Sequence, residues 1–301
     1  MFYFFSRRAF GMPKGASRAR FTDNLATLTR YGRAEPSGNS YRITRYAGPV
    51  AWTRDALSGV SGGQLIYVHG YNTTQKRMFD RQAKIVAGLR AKQFNGAVLS
   101  FDWPSRGSPS PAAYKADKEA AKHVARPFIE EGLEVLRRHA PGRPLAVLGH
   151  SMGALVTLRG FGEVAAGWKL DEALLVAADV DKVWLDRNAW AGSVMAKRTR
   201  RLTNYWHHKD RVLALAQGLN GGALRAGRDG MPPRTAPNHH DVSVEARFEA
   251  TFPQASKDVS HSFYFDDARF YEDLARVLAG QDVSGAPTRR PGAGGEQELR
   301  P

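Results

Sequence analysis

A serine hydroxyl becomes a useful nucleophile only when a base takes its proton and fixed N–H donors await the charge that develops on the attacked carbonyl. Gly149-His150-Ser151-Met152-Gly153 has the residue types for that chemistry, in the pattern G-x-S-x-G. In a chain with 30 glycines such a pattern arises by chance often enough that its surroundings must decide. Here they favour chemistry. Pro144–Leu148 (PLAVL) reads as a buried strand, and Ser151–Glu163 turns at once into a helix. A strand-to-helix turn this sharp strains the serine backbone, and side chains at the two glycines would collide with the neighbouring strand and helix. Ser151 then stands above the sheet with a helix N-terminus beneath it. His150 is expected to point off the turn into packing.

A second chemical run, Tyr67-Val68-His69-Gly70-Tyr71-Asn72, also follows a buried strand. A His-Gly pair there aims the next backbone N–H at the nucleophile, so Tyr71 and Met152 are the expected oxyanion donors. His69 and Asn72 are candidates for the substrate pocket, although Asn72 also suits a purely structural role in the loop.

The elements that must position these groups follow from apolar runs and punctuation. Gln64–Val68, Gly96–Phe101, Pro144–Leu148, Glu172–Ala178 and Arg201–Trp206 are expected strands, with Asp241–Phe248 a sixth and Ser40–Tyr46 an edge strand. Helical spacing marks Thr74–Lys92, a long helix from Ala112 to His139, Ser151–Glu163, Val212–Leu219 and Asp267–Leu278. Residues 1–38 are expected to be an irregular basic leader and residues 280–301 a disordered tail rich in Gly and Pro, leaving residues 39–279 as one domain. Short apolar strands alternating with helices indicate a mostly parallel sheet with helices on both faces. With the turn at Ser151, this pattern is that of an α/β-hydrolase fold without a large lid domain.

In that fold the serine is followed along the chain by an acid and then a histidine. Asp210, after the strand Arg201–Trp206, is the first candidate for the acid. Asp179 and Asp181 after the preceding strand are alternatives, and Asp210 would also serve as a helix N-cap. His261 lies between the last strand and the closing helix, where the base belongs. His239 and His240 precede the last strand and belong at the far end of the sheet, while His207 and His208 sit too near Asp210 along the chain. Trp103, Tyr114, Trp184 and Trp190 are candidates for an aromatic wall around the substrate.

The succession VHGYNTT (Val68–Thr74), FDWPSRG (Phe101–Gly107), Tyr114-Lys115-Ala116-Asp117 and LGHSMG (Leu148–Gly153) resembles a group of bacterial α/β-hydrolases of unknown function. The resemblance continues through Ala177–Asp181, YWHHKDRVL (Tyr205–Leu213) and His261-Ser262-Phe263, covering roughly residues 64–279. It implies esterase- or lipase-like hydrolysis with Ser151, Asp210 and His261, and no particular substrate. One departure is the segment Ala178-Asp179, where the group often has Ala-Pro-Asp. That difference touches the loop of the alternative acids.

Bulk composition adds exclusions. No cysteine is present, so disulfides and thiol catalysis are excluded, and no HExxH-like spacing suggests a metal. No cofactor is expected; a small-molecule ester or acyl substrate is. The longest apolar runs fall far short of the roughly 20 residues of a membrane helix. Ser6-Arg7-Arg8-Ala9-Phe10 looks briefly like a twin-arginine signal, but the following Gly11–Arg20 is polar, so a cytoplasmic protein is expected. The net charge of +15 is concentrated in residues 1–50 and 189–235, each with nine Lys/Arg against two acids. No helix-turn-helix, zinc-finger or RNA-binding pattern accompanies it, so the charge reads first as a solvated surface. Within the hydrolases an amidase, thioesterase or acyltransferase would use the same residues. A catalytically silent binding protein with an anionic partner on its basic surface is the alternative from another class.

Overall fold

Apolar runs too short to be anything but strands make up the middle of an eleven-stranded sheet in the computed structural model. It describes residues 1–301 except 13, 16–18 and 166. The strands are β1 (Phe2–Gly11), β2 (Arg20–Ser37), β3 (Ser40–Arg45), β4 (Gln64–Val68), β5 (Ala97–Asp102) and β6 (Leu145–His150). They continue with β7 (Leu170–Val176), β8 (Thr199–Trp206), β9 (His239–Ser243), β10 (Arg289–Pro291) and β11 (Gln297–Leu299). The helices are α1 (Pro49–Ala56), α2 (Gln75–Arg90), α3 (Pro111–Pro127), α4 (Glu134–His139), α5 (Met152–Glu163) and α6 (Trp190–Arg198). After them come α7 (Arg211–Leu219), α8 (Ala226–Asp229), α9 (Glu245–Thr251), α10 (Lys257–Ser262) and α11 (Ala268–Leu278).

Strand order is β10-β11-β9-β8-β7-β6-β4-β5-β1-β2-β3, parallel from β11 through to β1 and antiparallel at both margins. One group of helices, α2 and α11, packs together, and α1, α3, α4, α5 and α6 form a second group. The chain leaves β4 for β5 on one side and returns to β6 on the other. In open α/β sheets that reversal leaves a crevice at the carboxyl ends of the strands. The register brings those ends level: Val68 pairs with Gly149, Gly149 with Leu175, and Val176 with Tyr205. The residues that follow, His69, Ser151, Ala177 and His207, therefore emerge side by side.

The expected buried strands appear within a residue or two of their predicted bounds, and β3 lies at the sheet edge as expected. The two chain ends differ from expectation. Residues 1–38 are not an irregular leader: β1 pairs in parallel with β5 and antiparallel with β2. The expectation for residues 13 and 16–18 lies outside the described residues. Phe4 and Phe5 are fully buried, with Phe5 against Trp52, Phe101 and Phe128. A strand buried on both faces shows no alternation, so consecutive aromatics carried no strand signal.

Nor is the tail structureless. β11 extends the sheet beside β9, and Arg289 reaches into the core, where Nη2 and Nε donate to Asp273 at 2.7 and 2.8 Å. One buried ion pair outweighs a composition that reads as loop. The expected sixth strand, Asp241–Phe248, instead ends at Ser243, and α9 carries Phe248 inward. The long helix from Ala112 to His139 is interrupted after Pro127 by a π-helical turn, Phe128–Leu133. Proline supplies no N–H and its ring crowds the preceding turn, which loosens the helical ladder there.

Candidate active site

Ser151 sits between β6 and α5 with φ +56° and ψ −123°, a conformation a non-glycine residue adopts only when its neighbours impose it. Three backbone hydrogen bonds do so. Ser151 N–H donates to Val176 O at 2.9 Å, and Ser151 O accepts from Ala154 and Asp179 N–H at 3.0 and 3.1 Å. The glycines behave as the motif requires. A Cβ on Gly153 would lie 2.1 Å from Val68 O, and one on Gly149 would lie 2.9 Å from Ala154 N. Gly70 comes from the other side: a Cβ there would meet Ser151 Cβ at 2.6 Å and Oγ at 3.1 Å. The His69–Asn72 loop thus lies directly against the serine hydroxyl.

His261 Nδ1 donates to Asp210 Oδ2 at 2.7 Å. The other oxygen of Asp210 accepts from Val212 and Leu213 N–H at 3.0 and 2.9 Å, capping α7. The fully buried carboxylate therefore contacts His261 with one oxygen and caps α7 with the other. Asp179 and Asp181 are engaged elsewhere. Asp179 accepts from Tyr114 OH at 2.8 Å and lies 3.5 Å from Arg225 Nη1, while Asp181 pairs with Arg225 Nη2.

His261 is on the last turn of α10, and the two carbonyls there are gripped by buried histidines. His207 Nε2 donates to Ser260 O at 2.7 Å, and His150 Nε2 donates to His261 O at 3.0 Å. Burial lowers the pKa of both. For His150 the neighbouring His261 and Arg81 push further in the same direction, so it stays neutral and donates through Nε2–H. His150 is buried, as expected, but it also lines the cavity and stacks obliquely on the His261 ring at 4.7 Å. The turn set His150 aside as the base, as nearness to Asp210 did His207, and neither reading hinted at these contacts to the α10 carbonyls.

A polar network under the loop reaches back to the N-terminus. Arg8 Nε donates to Asp102 Oδ1 at 2.7 Å, and its terminal nitrogens donate to Thr73 O and Ser105 O at 3.0 and 3.2 Å and pair with Asp23. Burial alone would raise the Asp102 pKa, but Arg8 and His69 more than offset it and hold it at about 2. Ser105 Oγ donates to Asp117 at 2.7 Å and accepts from Thr73 N–H, and Asp117 also receives Arg106 N–H at 3.1 Å. No residue pattern pointed to Arg8, because an arginine in a basic leader reads as solvated.

The cavity above these groups has a volume of about 340 Å³. Asn72 and Tyr114 line it, as expected. Three other pocket candidates do not. His69 and Trp103 are fully buried, stacked on each other at 5.1 Å, with Trp103 Nε1 donating to His69 O at 2.8 Å. They brace the loop from behind. Trp184 packs with Trp190 and Arg159 away from the cavity. Asn72 has φ +53°, the left-handed conformation asparagine tolerates, so it shapes the loop as well. Unforeseen lining residues are Arg77 and Arg81 on α2, and Val212, Leu215, Ala216 and Leu219 on α7.

A mostly parallel sheet reversing between β4 and β6, a strained serine at that reversal, and an aspartate–histidine pair beyond it define an α/β-hydrolase fold. Residues 51–275 match the family described as alpha/beta hydrolase of unknown function (DUF900), and the chain belongs to that family. No match occurs among curated proteins. Solved structures similar to the chain include the esterase domain of a Rhodothermus marinus protein, with 13% identity and TM-score 0.34, covering 84% of this chain and 92% of that one. A hormone-sensitive lipase from a metagenome library has 12% identity and TM-score 0.39, covering 84% and 86%. A cold-adapted esterase from an Arctic intertidal metagenomic library has 12% identity and TM-score 0.34, covering 85% and 96%. The family match and the strand order, rather than these distant likenesses, define the fold. Among the described residues no helix is long and apolar enough to cross a membrane.

Proposed function

We propose that the protein is a serine hydrolase that cleaves a carboxylic ester of small or medium acyl chain through Ser151, His261 and Asp210. The observation that carries this reading is the 2.7 Å contact between His261 Nδ1 and Asp210 Oδ2, in a chain whose serine is held at a strained elbow. Asp210 fixes the tautomer that leaves Nε2 of His261 unprotonated and offsets the positive charge formed when that nitrogen takes the Ser151 proton. The serine oxygen attacks the ester carbonyl, and the carbonyl electron pair moves onto its oxygen. Tyr71 and Met152 N–H receive that oxyanion. Among the described residues the Tyr71 N–H donates to no backbone carbonyl, and the Met152 N–H is in the first turn of α5, where helical partners are lacking. As the tetrahedral intermediate collapses, His261 returns the proton to the departing alcohol. Water, deprotonated by the same histidine, then releases the acid and restores Ser151.

Each step uses groups the chain supplies, without a cofactor. A cavity of about 340 Å³ suits a compact substrate rather than a polymer. An amide or thioester would use the same steps, and an acyl transfer would replace the water by another alcohol. Rapid mixing with an activated aryl ester tests the reading. A burst of phenol stoichiometric with enzyme is expected, lost in Ser151→Ala; slow release without a burst and unchanged in that variant argues against it.

A further inference from the structure

Arg77 and Arg81 are one turn apart on α2, and both line the cavity. Every neighbour recorded for the Arg81 guanidinium is neutral: Tyr67 OH at 3.5 Å, His150 Nδ1 at 3.4 Å, and the Phe265 ring at 4.8 Å. Arg77 Nη1 donates to the Asn72 carbonyl at 3.2 Å. Among the described residues, no carboxylate lies within ion-pair distance of either. The arginines buried elsewhere are treated differently, since Arg8, Arg225 and Arg289 each meet an aspartate. A half-buried guanidinium beside a neutral histidine leaves a positive potential that an incoming anion would balance. Of the other charged residues lining the cavity, Asp179 is held by Arg225, while Lys257 and Asp258, neighbours on α10, carry opposite charges with no ion pair between them among the described residues.

The wall formed by α7 has the opposite character. Val212, Leu215, Ala216 and Leu219 recur at helical spacing and face the cavity, with Leu215 59% and Leu219 39% exposed. Large aliphatic side chains left in water on a cavity-lining helix are the mark of an apolar ligand surface.

Building on the hydrolase reading, we infer that the cavity takes an amphiphilic ester, its aliphatic chain along α7 and a carboxylate at its other end held by Arg77 and Arg81. The natural substrates are then half-esters of aliphatic diacids or esters of similar acidic character, rather than neutral acyl esters. Guanidinium groups present planar pairs of donors that match a carboxylate, and the apolar stripe selects chain length without charge.

Paired substrates test this directly: the aryl half-ester of adipic acid against aryl hexanoate, and of suberic acid against aryl octanoate. The acidic member of each pair is expected to show kcat/KM at least about tenfold higher, with the advantage shrinking as salt rises. Arg77→Glu and Arg81→Gln are expected to cut that ratio about tenfold; because a ratio is read, a general loss of activity does not imitate the effect. Leu215→Asp, at an exposed position, is expected to lower the octanoate-to-butyrate ratio. A fluorophosphonate probe separates the two levels of the account. Wild type that labels at Ser151 yet prefers the neutral esters, or variants that label and keep the wild-type ratio, overturns the acidic-ester inference and leaves the hydrolase standing. Wild type that neither labels nor turns over any ester overturns both.

Discussion

Asp210 gives one oxygen to His261 and the other to the α7 cap, which lets the two contacts be separated by substitution. Asp210→Asn retains an acceptor for the α7 N–H groups but turns an amide toward His261, favouring the wrong tautomer. Ester turnover is expected to fall about ten-thousandfold, while the melting temperature changes little. Asp210→Ala loses the cap as well and is expected to cost a further ~1 kcal/mol, measured by urea unfolding. A second residue, Arg8, acts at a distance, holding Thr73 O and Ser105 O through one guanidinium. Arg8→Gln is expected to lower kcat more than it raises KM, because it loosens the loop that carries the Tyr71 N–H. Were KM alone to move, the loop would be serving binding rather than the oxyanion. The sharp turn at Ser151 and the pairing of His261 with Asp210 were legible in the sequence, because motif and chain order point to them. The deeper supports were not: Arg8, His150 and His207 act through backbone carbonyls, and no pattern of residue types encodes a carbonyl's partner.

The elements impose their own constraints on this chemistry. β4, β6, β7 and β8 end level, and glycine is needed where β4 and β6 meet α5. Gly153→Ala would drive a methyl group to 2.1 Å from Val68 O, a backbone atom with no freedom to move away. It is expected to leave little soluble folded protein, whereas alanine at Gly142, where a Cβ meets nothing within 4 Å, is expected to cost about 1 kcal/mol through its positive φ of 79° alone. Soluble yield and thermal melts of the two variants compare these outcomes. The central strands were predictable from continuous apolar runs, and α2, α5, α7 and α11 from their apolar spacing. The π-helical turn after Pro127 and the break at Ser243 arise where local pattern and tertiary packing disagree. Val242 and Phe248 both reach the core, but one does so from a strand and the other from a helix.

At the scale of the whole molecule, both ends of the chain extend the margins of the sheet, and composition hid this. Basic and glycine-rich stretches read as solvated, yet single side chains such as Phe5 and Arg289 commit them to the interior. Removing residues 280–301 would leave Asp273 buried without its arginine, and the loss is expected to be on the order of 3–5 kcal/mol in equilibrium unfolding. Stability should also depend on pH through His239, whose two ring nitrogens have no hydrogen-bond partner among the described residues and whose pKa is brought down to about 4 by burial and by His240. The folded state disfavours the protonated ring, so this contribution is fully present above pH 6.5 and is lost as the pH falls toward 4. His239→Leu is expected to flatten the stability–pH curve in that interval; an unchanged slope would place the acid sensitivity elsewhere.

The most direct test of the central claim is intact-mass analysis of the full chain after exposure to a fluorophosphonate, followed by peptide mapping. The account predicts one adduct, on the peptide containing Ser151, absent in Ser151→Ala and formed far more slowly in His261→Gln. An unmodified wild-type chain, or an adduct that persists when Ser151 is replaced, would contradict it.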